Sequence, residues 1–175
     1  TVKGPIWLPT NTPTHPADGM TINNTRAADA DGVPDLVTIT SGDYTDITSA
    51  DVGVIRINPD TTSSQTVTLN DLTIDSGGKI RGIYNQGNLT LNNTTVQKNT
   101  ATFGGGIFNK GNLTITGGAI IGGKDSENTA NFGGGIYNTG TLTLSGGAVS
   151  HNNADNSGGG IYNTGSLILS DNSAV

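Results

Sequence analysis

The hydrophobic positions in the second half of the chain form a repeat. Each copy opens with Gly-Ile-aromatic-Asn, continues through a glycine two residues later, and reaches an alternating segment such as Leu89-Thr90-Leu91. Apolar residues at every second position are typical of a β-strand with one buried face. The four copies occupy residues 82–91, 106–115, 135–144 and 160–169.

The isoleucine near the start of each copy sets the period. Ile83, Ile107, Ile136 and Ile161 are 24, 29 and 25 residues apart, and the longest interval carries its additional residues in the polar stretch 122–127. A unit of about 25 residues with only short strands must stack on its neighbours to bury its apolar face. The repeat therefore predicts an all-β fold, a right-handed parallel β-helix in which the handedness follows from the crossover rule.

Stacking of the copies predicts columns of equivalent residues about 4.8 Å apart. One inward wall contains Val96, Ile120 and Val149. Asparagines after the aromatic position are predicted to point inward as an amide ladder, and they are Asn85, Asn109, Asn138 and Asn163. The aromatic residues themselves are predicted to face outward and to stack, and they are Tyr84, Phe108, Tyr137 and Tyr162. The glycines that follow are expected to adopt positive φ, and they are Gly87, Gly111, Gly140 and Gly165.

Weaker alternation continues upstream of the clear copies. Segments such as 36–40, 54–57 and 67–74 also read as strands. We therefore expect a parallel β-helix of about five to six coils over residues 36–175, with atypical N-terminal coils. Residues 1–35 are expected to form an extended N-terminal segment with an Asp-rich turn, acting as a cap or as a donor strand.

Composition and charge narrow the function classes. Only 32% of residues are hydrophobic and 27 are glycine, but the regular apolar register argues against disorder. A net charge of −6 with eight Lys plus Arg disfavours nucleic-acid binding. The absence of cysteine excludes disulfides and thiolate zinc sites.

We expect no membrane insertion of this segment, because no apolar run has the length of a membrane-spanning helix. The initial Thr1 suggests a processed mature protein or a trimmed sequence, and we expect a secreted protein whose signal peptide has been removed.

The sequence of the repeat unit resembles the repeats of a known class of surface protein. The unit GGGIYN-x-G-x-LTL, followed by V-x-x-N-x-A, resembles the right-handed β-helix repeats of bacterial surface and secreted proteins. It is similar to the repeats of chlamydial polymorphic outer membrane proteins, with Val96 or Val149 where that family has Phe. The resemblance covers residues 80–175 and implies an extracellular or cell-surface location and a role as adhesin, passenger domain or structural protein.

Candidate chemistry is sparse along the sequence. Asp29, Asp31 and Asp35 alternate around a Gly turn, and their carboxylates are the hard oxygen ligands that calcium prefers. They are the one predicted metal site, with a plain Asp/Gly turn as the alternative. Asp125 and Glu127 lie together in the polar insertion, which favours a solvated loop over an acid/base pair. No catalytic residues are predicted.

The two ends of the chain are the predicted functional regions. The apolar N-terminal segment contains Val2, Ile6, Trp7 and Leu8, and the final coil contains Leu167, Leu169 and Val175. An uncapped β-helix end is a template for strand pairing, so we expect the N-terminal strand either to cap its own coil or to dock on the open coil of another copy. A head-to-tail contact between copies that does not close into a ring produces a filament. The alternatives are an adhesin or passenger-type fragment that binds host or glycan and, less favoured, a polysaccharide-active enzyme.

Overall fold

The structure is a computed structural model that describes a part of the chain. It describes the strands Val2–Lys3, Ile6–Leu8, Met20–Asn23 and Val37–Thr40, and residues 53–57, 66–170 and 172–175. All regular secondary structure in these residues is β-strand. The short strands and Gly/Asn turns follow from a sequence rich in Thr, Asn and Gly, which disfavour helix.

Twenty-two strands make up the described secondary structure. They are Val2–Lys3 (β1), Ile6–Leu8 (β2), Met20–Asn23 (β3), Val37–Thr40 (β4), Ile55–Ile57 (β5), Thr66–Asn70 (β6), Leu72–Asp75 (β7), Ile83–Asn85 (β8), Asn88–Asn92 (β9), Thr95–Gln97 (β10), Thr100–Phe103 (β11), Ile107–Asn109 (β12), Asn112–Thr116 (β13), Ile120–Gly122 (β14), Thr129–Phe132 (β15), Ile136–Asn138 (β16), Thr141–Ser145 (β17), Gly147–Ser150 (β18), Asn153–Ser157 (β19), Ile161–Asn163 (β20), Ser166–Leu169 (β21) and Ser173–Ala174 (β22).

The strands form four sheets in which every pair is parallel. Sheet I has the order β1-β4-β7-β10-β14-β18-β22, sheet II the order β2-β5-β8-β12-β16-β20, and sheet III the order β3-β6-β9-β13-β17-β21. Sheet IV contains β11, β15 and β19. From β8 onward the chain passes through sheets II, III and I in turn, and after β10 it adds a strand of sheet IV to each coil. This is the predicted parallel β-helix, and its handedness stays a prediction.

The regular part of the solenoid, from β8 onward, has about four turns, which differs slightly from the five to six coils predicted over residues 36–175. The prediction applied a period of about 25 residues to the whole of 36–175. Upstream, however, Val37 pairs with Leu72, which is 35 residues later in the sequence. The N-terminal strands β1, β2 and β3 pair with β4, β5 and β6 of the same chain, so the described N-terminal segments extend the same sheets.

The core runs along the solenoid axis as columns of aliphatic side chains. The isoleucines of β8, β12, β16 and β20 are in register, and Leu142 and Leu144 of β17 are fully buried. Each fully buried aliphatic side chain contributes about 1.5–3 kcal/mol. Because every inner coil is covered on both sides, this core is continuous from Val54 to Val149.

One predicted core position is wrong by a single residue. Val96 and Val149 both pair with Ile121, which is fully buried, whereas the predicted Ile120 is 40% exposed. The second copy has one more residue between Ile115 and this strand than the first and third copies have at the same place. A slip of one residue reverses the face of a strand, so counting from the preceding strand selected the wrong isoleucine.

The prediction of positive φ after the asparagines is also wrong. Gly111, Gly140 and Gly165 do not adopt positive φ. A Cβ at Gly140 would meet the carbonyl oxygen of Gly111 at 2.1 Å, and the same approach occurs at Gly165. Glycine is therefore required by the close approach of one coil to the next, and positive φ occurs elsewhere, as at Gly104 and Gly133.

Candidate functional site

An asparagine ladder occupies the interior corner between sheets II and III. Asn85 Nδ2 donates to Asn109 Oδ1 at 2.7 Å, Asn109 Nδ2 to Asn138 Oδ1 at 2.7 Å, and Asn138 Nδ2 to Asn163 Oδ1 at 2.6 Å. Each amide also donates to carbonyls of the adjacent turns, as Asn109 does to Gly111 and Thr141. The predicted ladder is confirmed, and its bonds make it part of the scaffold.

A second amide ladder lies between sheets I and IV and was not predicted. Asn99 Nδ2 donates to Asn128 Oδ1, and Asn128 Nδ2 donates to Asn152 Oδ1, both at 2.9 Å. Asn99 and Asn128 are fully buried. The signal was present in the repeated Asn-x-Ala segments, because the same residue recurs at the same place in each coil.

Aromatic side chains form a strip on the outer face of sheet II. Phe108 meets Tyr84 edge-on at 5.4 Å and Tyr137 edge-on at 5.0 Å, and Tyr137 stacks on Tyr162 at 5.1 Å. Phe103 and Phe132 stack beside this column, from sheet IV. The column was predicted to face outward and to stack, but of its three contacts only that between Tyr137 and Tyr162 is stacked, and the other two are edge-on. Rings that meet edge-on place the positive edge of one against the negative face of the other.

Three cations surround the N-terminal end of the aromatic strip. The charged groups of Arg56, Arg81 and Lys110 lie 5.0, 5.4 and 5.3 Å from the centre of the Tyr84 ring. Cations at this distance are attracted by the ring quadrupole. Tyr84 is fully buried although it faces outward, and these three charged groups lie beside its ring. This cluster, which we call the cation cluster, is the most concentrated chemistry among the described residues.

The sequence contained part of the signal for the cation cluster. Arg56 pairs with Tyr84 and therefore occupies the aromatic column, between Ile55 and Ile57. Lys110 takes the place that Gln86 and Thr139 take in neighbouring copies. Arg81 could not have been found by register alone, since it stands before Gly82 at a place where later copies have glycine.

Threonine and asparagine side chains line the outer face of sheet III in its middle coils. A shallow depression in it is lined mainly by Thr66, Asn88, Thr90, Asn112 and Thr114. Asn112 Nδ2 donates to Asn88 Oδ1 at 2.7 Å, so these amides already bond to each other. The described residues that line the depression offer hydroxyl and amide groups and include no charged side chain.

The last coil leaves its aliphatic side chains uncovered. Leu167 and Leu169 continue the columns of Leu142 and Leu144, but they are 36% and 53% exposed, and Val175 is 67% exposed. Among the predicted assembly residues, these three therefore lie at one end of the solenoid. The others, Val2, Ile6, Trp7 and Leu8, belong to β1 and β2, which are the edge strands at the opposite end of sheets I and II.

Only one of the two acidic candidate groups lies within the described residues. Asp29, Asp31 and Asp35 lie outside the described residues. In the part that the structure describes, no His, Asp and Glu side chains group closely enough to hold a metal ion. Asp125 and Glu127 are exposed, and Glu127 Oε1 accepts from the backbone amide of Asp125 at 3.2 Å.

The described residues contain no helix long and apolar enough to cross a membrane. No protein-family model, curated protein or solved structure matches the chain. The resemblance to surface-protein repeats therefore rests on the repeat letters, while the fold rests on the parallel register of the coils.

Proposed function

We propose that this chain is a non-enzymatic structural module of a secreted or cell-surface protein, which assembles head to tail with further copies into a filament. The observation that carries the proposal is the open coil at Leu167–Leu169 and Val175. The equivalent leucines one coil earlier are fully covered. Exposed aliphatic columns and unpaired strand edges favour the addition of another coil.

A second copy of the chain is the occupant that the sheet geometry favours. The edge strands at one end are β20, β21 and β22, and those at the other end are β1, β2 and β3, of the same three sheets. All strands in these sheets are parallel, so a copy that docks its first coil on the last coil of another continues each sheet without a change of direction. The contact is heterologous and does not close, which is the geometry of a filament.

The location and the metal are parts of the same proposal. A cell-surface location is supported by the resemblance of the GGGI and V-x-x-N motifs to the repeats of bacterial surface proteins. Calcium at Asp29, Asp31 and Asp35 is supported by the alternation of carboxylates around a glycine turn. Calcium is expected to raise the melting temperature of the wild-type chain but not that of Asp31→Asn, as measured by calorimetry with and without a chelator.

Electron microscopy and sedimentation of the 175-residue chain test the assembly. Wild type is expected to form rods, and Leu169→Asp is expected to abolish them by placing a charge in the end contact. Ile120→Asp is the matched control, because Ile120 is similarly exposed but lies on the side wall of a middle coil. Rods that persist in Leu169→Asp, or a wild-type chain that stays monomeric, would overturn the proposal. The monomer would favour a ligand-binding surface module or a further coil of a longer chain as the occupant.

A further inference from the structure

The cation cluster gathers a large share of the positive charge of an acidic chain. The chain has eight Lys and Arg residues and a net charge of −6. Three of the eight lie within 5.4 Å of one ring centre, that of Tyr84. All three charges are therefore within roughly one Debye length, about 8 Å at physiological ionic strength, of the Tyr84 hydroxyl.

The Tyr84 hydroxyl is a buried polar group without a hydrogen-bond partner. Across the residues that the structure describes, it is the one buried side-chain nitrogen or oxygen in this condition. Buried hydroxyls nearly always have a partner, since an unmade hydrogen bond costs free energy. A protein that buries a donor beside three cations has the elements of a site for an anion.

One of the three cations beside Tyr84 has a long, exposed side chain. Lys110 is exposed, and its ammonium lies over the Tyr84 and Phe108 rings at 5.3 and 5.1 Å. It has no carboxylate partner within the described part of the chain. Its long flexible side chain can therefore rotate outward and follow an incoming anion. Arg56 is better fixed, because its Nη2 donates to Gln86 Oε1 at 3.0 Å.

We propose that Tyr84, Lys110 and Arg56 form a binding site for an oxyanion, that is, a carboxylate, sulfate or phosphate group. The Tyr84 hydroxyl donates a hydrogen bond to the anion, while Lys110 and Arg56 supply charge-assisted donors. Arg81 adds fixed positive charge beside the ring, since its guanidinium is held by the carbonyls of Phe103 and Gly104.

The rest of the aromatic column supplies an internal comparison. Tyr137 has the same outward position one coil beyond Phe108, and within the described part no cation lies over its ring. Its side chain is half-buried. The proposed site is thus confined to the Tyr84 coil and the coil on either side of it. These coils are internal to sheet II, so the site does not depend on whether the ends of the chain assemble.

Titration with sodium sulfate, against sodium chloride at equal ionic strength, tests the site. Backbone amide shifts of Tyr84, Gln86 and Lys110 in NMR spectra are expected to move and saturate with sulfate but not with chloride. Tyr84→Phe and Lys110→Gln are each expected to raise the dissociation constant about tenfold, because each removes a hydrogen bond to a charged group. Tyr84→Phe keeps the ring and its packing, so the fold is retained.

Tyr137→Phe and Lys124→Gln are the matched controls, and both are expected to leave the dissociation constant unchanged. Sulfate shifts that are absent at Tyr84 and Lys110, or an unchanged dissociation constant in Tyr84→Phe, would overturn the proposal. Parallel titrations with phosphate and with a sulfated polysaccharide identify the source of the anion. Much tighter binding of the polysaccharide, with the same dependence on Tyr84, assigns the anion to a saccharide, and equal binding assigns it to a small ion.

Discussion

The inward and outward sides of one coil carry the same amide chemistry in opposite surroundings. On the inside, Asn109 Nδ2 donates to Asn138 Oδ1 at 2.7 Å, and both residues are fully buried. On the outside, Asn112 Nδ2 donates to Asn88 Oδ1, also at 2.7 Å, at an exposed position. The two bonds have equal length, and they differ in the access of water to their partners.

That difference determines which bond the fold depends on. When an exposed amide is removed, water replaces it, and the loss is small. When a buried amide is removed, its former partners are left unpaired, at about 1–3 kcal/mol for each group. The inner amides also bond to turn carbonyls, so one inner asparagine satisfies several groups. Substitution of an inner asparagine should therefore lower the stability of the fold much more than substitution of an outer one.

The largest effect is expected where two coils approach most closely. Gly140→Val places side-chain atoms on the carbonyl oxygen of Gly111, which a Cβ would meet at 2.1 Å. Separation of the coils is expected to cost about 3 kcal/mol or more. Thr141→Val, one residue later on the outer face, is expected to stay within about 0.5 kcal/mol of wild type. Urea denaturation measures both, and similar stabilities would contradict the role assigned to Gly140.

The next effect compares two neighbouring isoleucines. Ile121→Ala removes a fully buried side chain and is expected to destabilise the chain by about 2–5 kcal/mol. Ile120→Ala removes an exposed side chain and is expected to change stability by about 0.5 kcal/mol or less. Midpoints of denaturation at constant m-value report the difference. A larger loss in Ile120→Ala would mean that the register of β14 is wrong.

The third comparison is between an asparagine of the inner ladder and one of the exposed outer pair. Asn109→Ala leaves the Asn85 amide without its acceptor and removes donors to Gly111 and Thr141. We expect a loss of about 2–3 kcal/mol. Asn112→Ala is expected to cost about 0.5 kcal/mol or less. Equal losses of stability in the two variants, measured in the same denaturation series, would show that burial does not distinguish the inner ladder from the outer Asn112–Asn88 pair.

The smallest effect has the opposite sign. Tyr84→Phe removes a buried hydroxyl that has no partner, so stability in the absence of anions is expected to stay equal or to rise by about 1 kcal/mol. Added sulfate is expected to stabilise wild type more than Tyr84→Phe, because only wild type has the complete site. Thermal unfolding in chloride and in sulfate at equal ionic strength measures both effects. A large loss of stability in chloride would show that the hydroxyl is bonded within the fold.

The sequence predicted what depends on repetition. The inward isoleucines, the Asn85–Asn163 ladder and the outward aromatic column all follow from equivalent positions in stacked copies. Failures occurred where a copy departs from the others, as at Ile120 and Ile121, where one additional residue shifts the strand. Glycine conformation was also misjudged, since the reason for Gly140 is contact with another coil and not its own φ.

The cation cluster shows a second limit of prediction from sequence. Arg56, Arg81 and Lys110 stand in three successive segments and share no motif. Their convergence on Tyr84 depends on the coils between them and on side-chain directions that spacing does not determine. The register identifies the column that contains Arg56, but the unpaired hydroxyl is visible only in three dimensions.

The amide ladders give the solenoid a direction. From Asn85 to Asn163 every inner amide donates towards the C-terminus, and the second ladder, from Asn99 to Asn152, donates the same way. Aligned amide dipoles strengthen one another along such a row. The outer pair from Asn112 to Asn88 donates towards the N-terminus. The interior rows and this outer pair thus point in opposite directions along the axis, and a coil added after Asn163 must present an acceptor to the interior row.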